Sequence, residues 1–340
     1  MKILILKPSS LGDVVQAVPV LRLLKRHRPA SEIYWWLDVR LRALLDGDPD
    51  LTRVVPFERQ RWAAPRHWPE IWRSVSWMRA QAFDWVIDLQ CLARSGAFAW
   101  LANGQLTVGL DEAREGARGF YDLVAPRRTF HTHAVDWYLD VLPLLGVPVH
   151  WRFDWLPARP QVAAAIRTQW RVEAAPWLVL LPGARWPSKR WPVEHFTALV
   201  QQLAARRPEL RFAILGSEDD RPLGETIAGG TPQRCLNLAG QTTLPEMVEW
   251  IRLSTLVVAN DTGPMHVAAA LGKPVVAMFG PTAPQRTGPY GQVDRTLHTA
   301  LPCVPCFRSR CAYHKPLECL RALSPAFVAE RVCQRLESAR

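Results

Sequence analysis

No apolar run in these 340 residues approaches the roughly 20 needed to span a bilayer. The opening stretch, Met1-Lys2-Ile3-Leu4-Ile5-Leu6-Lys7-Pro8, is too short and wrongly flanked for a secretory signal and reads as a first β-strand. Together these absences set the expectation of a cytoplasmic protein. Low-complexity tracts are missing, and so is any internal repeat beyond a shared strand–helix grammar. Acidic residues are in short supply: 31 Asp and Glu stand against 42 Lys and Arg, a net charge of +11. Such an excess favours anionic partners. Zinc-finger, homeodomain and RNA-recognition signatures are absent, as are long basic blocks, so no nucleic acid is expected. Phosphosugars and an anionic membrane surface rank ahead of it. The first strand is not followed by G-x-G-x-x-G, and no Walker A loop occurs, which disfavours the ordinary nicotinamide-dinucleotide and P-loop readings.

What is present is an ordinary globular balance, with 49% hydrophobic and 21% charged residues. The length suits two domains. Short apolar strands alternate with amphipathic helices throughout. The first half offers Lys2–Leu6, Ile33–Leu37, Arg53–Phe57, Trp85–Leu89 and Leu106–Val108 as strands. The second offers Trp177–Leu181, Arg211–Leu215, Leu256–Ala259 and Val275–Phe279. Near-continuous apolar strands between helices indicate parallel sheets covered on both faces. The expected fold is therefore α/β, with two Rossmann-like domains facing across a cleft. Proline punctuation places the boundary near Val147–Glu173, where the only helix is Gln161–Trp170. The expected domains are residues 1–155, 156–322, and a last segment, 323–340, whose helix Pro325–Leu336 packs back on the first domain.

Ligands of such sheets bind beyond the carboxyl ends of the strands, so the loops there carry the information. After the first strand comes Ser9-Ser10-Leu11-Gly12-Asp13, with Asp13 placed either to cap the next helix or to act as a general base. After Trp177–Leu181 comes a Gly turn with cations, Pro182-Gly183-Ala184-Arg185 and Ser188-Lys189-Arg190. Lys189 offers a diphosphate a point charge, and Arg185 or Arg190 a fork. Gly216-Ser217-Glu218-Asp219-Asp220 follows Arg211–Leu215, and its carboxylates suit either a ribose hydroxyl or a helix cap. The most informative loop is Asn260-Asp261-Thr262-Gly263-Pro264-Met265-His266, which opens a helix of small residues. Unpaired N–H groups and the helix dipole there suit an anionic group, with His266 on the first turn.

Four of the seven cysteines, Cys303, Cys306, Cys311 and Cys319, lie in one loop-rich segment. Such a set can hold Zn²⁺ or iron tetrahedrally as a structural metal; reduced, packed thiols are the default alternative.

Taken together, these loops resemble the heptosyltransferases, glycosyltransferase family nine, which build the inner core of lipopolysaccharide. The Asp-Thr-Gly-x-x-His element at 261–266 is the most specific part of the likeness, and the matching pieces run through both halves in the family's order. Val275–Gly280 with Pro281-Thr282, and the Cys-x-Pro-Cys segment, match as well. The resemblance implies a GT-B fold and inverting, metal-independent transfer of heptose from ADP-heptose to a lipid A–Kdo acceptor, with no cofactor required for catalysis. It implies Asp13 as base, with Ser9, Ser10 and Gly12 forming the acceptor-side loop. Lys189 and the N–H groups of Thr262 and Gly263 would take the diphosphate, Asp261 and His266 would hold the donor, and Glu218 the nucleoside. Arg185 adds a donor-side cation. The chain departs from members that carry paired Thr where it has Ala184 and Arg185.

A lipid acceptor also implies contact with the cytoplasmic surface of the inner membrane. Arg59, Arg61, Arg66, Arg73 and Arg79 suggest peripheral, salt-reversible association there, with Trp68, Ile71, Trp72, Val75 and Met78 packed on the sheet. Alternative readings are a family member with another nucleotide sugar or acceptor, and an epimerase of similar shape. A scaffold would need neither Asp13 nor Lys189.

Overall fold

The computed structural model describes residues 1–111, 114–151 and 153–338, and the chain divides into two units, Met1–Pro157 and Ala158–Arg340. The last two residues of the segment 323–340 lie outside the described residues.

The first unit holds six parallel strands: β1 (Lys2–Leu6), β2 (Glu32–Asp38), β3 (Arg53–Phe57), β4 (Trp85–Asp88), β5 (Leu106–Asp111) and β6 (Leu123–Pro126), in the order β3-β2-β1-β4-β5-β6. The second repeats the plan with β7 (Trp177–Leu181), β8 (Arg211–Ile214), β9 (Cys235–Asn237), β10 (Leu256–Asn260), β11 (Val275–Phe279) and β12 (Leu297–His298), in the order β12-β11-β10-β7-β8-β9. Counted within the unit, both sheets run 3-2-1-4-5-6, the doubly wound Rossmann order. The expected pair of Rossmann-like α/β sheets is what the chain forms. The central strands are buried on both faces: β7, β10 and β11 expose almost nothing, which is why each is a continuous apolar run.

Strand order reverses between β1 and β4, and between β7 and β10. At these two switch points the loops leaving neighbouring strands diverge to opposite faces and open a crevice at the carboxyl edge. Register sets what meets there. Leu6 pairs with Asp88, and Ala259 with Leu181, so Lys7 adjoins Leu89 and Asn260 adjoins Pro182.

Four helices bear on the argument that follows: α1 (Leu11–His27), α2 (Trp68–Ala80), α3 (Gly263–Ala270) and α4 (Pro325–Ser338). The final helix is part of the second unit's core. Val328, Ala329, Val332 and Leu336 of α4 are buried in the second unit's core with Phe196, Leu199, Leu203, Met278 and Leu320. Its apolar stripe is buried within that unit.

α2 corrects an expectation. Val75 and Met78 are buried, and Ile71 and Trp77 pack on the first unit's core, but Trp68 and Trp72 are 55% and 64% exposed. The buried stripe therefore runs through Ile71, Val75 and Met78, and the two tryptophans project from the adjacent, outward stripe. Among the described residues no helix is long and apolar enough to cross a membrane.

Candidate functional site

The sequence-predicted residues gather into two clusters, one in each unit, both at a switch point. In the first unit, β1 ends at Leu6 and the chain turns through Pro8–Ser10 into α1. Ser10 is the N-cap of that helix, in extended conformation. Asp13 Oδ2 accepts from the Ser10 backbone N–H at 2.9 Å and from the Ser10 hydroxyl at 2.6 Å, completing a capping box. Capping is thus one function of Asp13, and it fixes the carboxylate in place beside the loop. Ser9 and Asp13 are half-buried, Ser10 is exposed and Gly12 buried.

Beneath this loop lies a polar cluster that the sequence did not announce. The Lys7 ammonium is buried, donates to the Leu89 carbonyl at 2.8 Å and stands 4.7 Å from the centre of the Tyr138 ring. Burial alone would push this ammonium down. Tyr138 and Asp13 outweigh burial and hold it above the ordinary lysine range. Asp88, at the end of β4, is fully buried, accepts from the Tyr121 hydroxyl at 2.7 Å and from the Gln90 N–H at 2.8 Å, and has its carboxyl raised chiefly by burial. Asp13 therefore rests on a floor that holds a fixed positive charge.

A cavity of about 440 Å³ lies apart from this loop, lined by Arg53, Arg61, Trp62, Arg73 and Trp77 beside the edge strand β3. It contains none of the predicted site residues.

In the second unit, the loop after β7 and the turn after β10 are tied together by Asn260. Its side chain, wholly buried, accepts from the Trp191 N–H at 3.0 Å and donates to the Pro182 carbonyl at 2.7 Å. That clamp sets the loop so that Lys189 Nζ lies 2.7 Å from Asp261 Oδ2. The same oxygen accepts from the Thr282 hydroxyl at 2.6 Å, and Asp261 is 5% exposed. Asp261 is thus saturated on one oxygen and serves to aim Lys189, whose side chain keeps 19% of its surface open. Lys189 also lies 4.8 Å from the Trp186 ring centre, a second restraint on its stem.

Beside the ammonium, α3 begins. Its N-cap Thr262 makes no side-chain capping bond, and Thr262 and Gly263 are only half-buried. This first turn is left without the usual carboxylate or hydroxyl cap, so its N–H groups and dipole are offered outward. His266 is buried on the same turn.

In the loop after β8 the carboxylates differ in what they touch. Asp220 Oδ2 accepts from the Ser217 N–H at 3.0 Å and the Ser217 hydroxyl at 2.7 Å, so Asp220 is the capping residue. Glu218 is left exposed and paired only with Arg221, at 3.4 Å. Asp220 also explains Gly183: a Cβ there would fall 2.4 Å from the Asp220 carboxyl, so only glycine fits. Of the loop cations, Arg190 turns inward, donating to the Ala184 carbonyl at 2.9 Å, while Arg185 points to solvent and Ala184 is buried.

The four clustered cysteines line one small cavity with Ser188, Pro281 and Tyr313. Their segment braces the Lys189 loop, since Ser188 donates from its hydroxyl to the Arg308 carbonyl at 2.7 Å. All four are free thiols, and burial, with the neighbouring Cys311, Cys303 and Cys306, pushes Cys319 up to about 11. Among the described residues no group of three His, Cys, Asp or Glu side chains is placed to share an ion.

Comparison with known proteins identifies the family. The family model described as "Glycosyltransferase family 9 (heptosyltransferase)" matches residues 71–316. Lipopolysaccharide heptosyltransferase 1 of Pseudomonas aeruginosa is 32% identical over 331 residues, covering 92% of this chain and 88% of that protein. The solved ADP-heptose lipopolysaccharide heptosyltransferase II of E. coli superposes with a TM-score of 0.80 at 24% identity, covering 99% of both chains. The E. coli heptosyltransferase WaaC, solved with ADP, superposes with a TM-score of 0.75 at 25% identity over 100% of both.

Proposed function

The chain belongs to glycosyltransferase family 9, the heptosyltransferases, and on that premise we propose that it moves heptose from ADP-heptose to a lipid A–Kdo acceptor, inverting the anomeric centre without a metal. Heptose transfer in lipopolysaccharide core biosynthesis is the activity of its relatives. The observation that carries the finer reading is the aimed Lys189 ammonium beside the uncapped start of α3. A departing nucleoside diphosphate develops negative charge, and a fixed cation with a helix N-terminus can stabilise it where a divalent ion would otherwise serve. The donor of the E. coli relative carries that same diphosphate.

In this reading an acceptor hydroxyl attacks the anomeric carbon while the bond from that carbon to the diphosphate oxygen breaks. The hydroxyl proton passes to Asp13, and ADP leaves as the anion held by Lys189 and the Thr262–Gly263 turn. Attack opposite the leaving group inverts the centre. Asp261 and Thr282 orient Lys189, Glu218 reaches the nucleoside, and Arg185 contributes a further donor-side cation. Ser9, Ser10 and Gly12 shape the acceptor loop, and Lys7 supports Asp13 from below. The lipid-linked acceptor places the enzyme at the cytoplasmic surface of the inner membrane.

The test is a mass-spectrometric product assay with ADP-heptose and a panel of truncated lipid A–Kdo acceptors. The reading expects one acceptor to gain a heptose. Release of free ADP with no glycosylated acceptor would contradict it and favour an epimerase-like activity.

A further inference from the structure

Helix α2 has two faces of different character. Val75 and Met78 are buried, with Ile71 and Trp77 against the same core, and these anchor the helix to the sheet. The outer face carries Trp68, Pro69, Trp72, Arg73, Ser76 and Arg79, all exposed. Trp68 and Trp72 lie one turn apart, 55% and 64% exposed, and Trp100 on the helix packed beside α2 is 62% exposed. A single exposed tryptophan is unremarkable; a pair on one helical face is not.

Charge surrounds the indoles. Arg59, Arg66, Arg73 and Arg79 are exposed, and none enters an ion pair among the described residues. The nearby carboxylates are already taken, because Glu70 pairs with Arg61 at 2.6 Å and Glu58 lies 3.8 Å from the same guanidinium. Tryptophan and arginine meet at protein interfaces as well, but four exposed arginines with no carboxylate partner among the described residues give this face a positive charge that complements an anionic surface. They suit the boundary of a lipid bilayer, where an indole has one apolar and one wet side and a guanidinium meets anionic headgroups.

We propose that the outer face of α2 docks on an anionic lipid bilayer, with Trp68 and Trp72 seated among the headgroups and Arg59, Arg66, Arg73 and Arg79 against their charge. The inference deepens the proposed function, whose acceptor is a lipid, but its test needs no acceptor. Each cation near such a surface raises partitioning about fivefold, an effect screened by salt. The buried indoles add a part that salt does not remove.

Co-sedimentation of the full chain with phosphatidylglycerol–phosphatidylcholine vesicles, free of any sugar lipid, measures both parts. Binding should rise with phosphatidylglycerol content and fall with ionic strength to a residual level above zero. Trp68→Ser with Trp72→Ser should abolish that residue of binding and lower affinity at least tenfold at low salt. Arg59→Ser, Arg66→Ser, Arg73→Ser and Arg79→Ser together should remove the dependence on anionic lipid. Both variants alter exposed positions and should keep wild-type turnover on a water-soluble truncated acceptor. Failure of the wild type to sediment, or equal binding by the tryptophan variant, would overturn the proposal. So would a dimer that this variant dissolves while vesicle binding is unchanged, since the face would then join two copies. Vesicle binding without heptose transfer would instead sink the functional reading alone.

Discussion

Replacing Lys189 by alanine separates a ligand-binding cation from a structural ion pair. In the structure the ammonium lies 2.7 Å from Asp261, which is 5% exposed and also accepts from Thr282. A charge-assisted contact to a diphosphate contributes about 1.5–3 kcal/mol, so its loss should weaken ADP binding roughly 10- to 150-fold. Two effects act on that figure in opposite directions. Lys189 already has Asp261 as a partner, which lowers what the diphosphate gains from it. Removing the ammonium leaves Asp261 as an unneutralised anion beside an anionic ligand, which raises the cost. The second effect is testable by itself: Asp261→Asn in the Lys189→Ala background should recover part of the lost affinity, because it removes the repulsion without restoring the cation. Titration calorimetry with ADP reads both steps. Wild-type affinity in Lys189→Ala would remove this loop from the site, and an Asp261→Asn change that fails to relieve the defect would refute the geometry assigned to the pair.

Asp13→Ala should lower kcat by about two to four orders of magnitude with ADP affinity nearly unchanged; Asp13→Asn, which retains an acceptor for the Ser10 cap, should lose turnover equally while keeping more of the stability of α1, and a fully active asparagine variant would show that only the cap matters. Because burial raises the Asp88 carboxyl, the stability it contributes is complete below the ordinary carboxylate pKa and is lost as pH rises through its raised value. The melting temperature of Asp88→Asn relative to wild type should therefore increase between pH 4 and pH 7, and a decrease over that window would reverse the assignment. Transfer should persist in excess EDTA, and a chelated enzyme rescued only by a divalent cation would count against metal-independent transfer; about one zinc or iron per chain by elemental analysis would instead mark Cys303, Cys306, Cys311 and Cys319 as a structural site.

The central strands were legible because burial on both faces demands unbroken apolar runs, and β1, β7 and β11 fall where the sequence puts them, as does the edge strand β3, whose Val-Val-Pro-Phe run is apolar although only partly buried. The strands that escaped, β6, β9 and β12, are all sheet edges, two to four residues long and only partly buried. They lack the pattern because an edge strand has fewer neighbours to demand it. In the site, residues next to Gly and Pro at strand ends were readable, since turn chemistry marks them. Asn260 stood in the quoted motif, but its clamp on Pro182 and Trp191 depends on a neighbouring strand 78 residues away. Lys7, Asp88 and Tyr138 were hidden for the same reason: each is an isolated polar residue whose meaning comes from parallel pairing. The phase of α2 was misread because Trp68 and Trp72 fit the helical period of the buried stripe, and hydrophobicity alone does not say which of two adjacent stripes meets the sheet.

The anomeric configuration of the product tests the central claim most directly. Wild-type protein, ADP-heptose and the acceptor selected by the mass-spectrometric panel are combined in EDTA, and the new linkage is read by NMR. Direct displacement by an Asp13-activated hydroxyl predicts a single product whose anomeric centre is inverted relative to the donor. A retained configuration would contradict it, because a double displacement needs a nucleophile on the protein that this account does not provide.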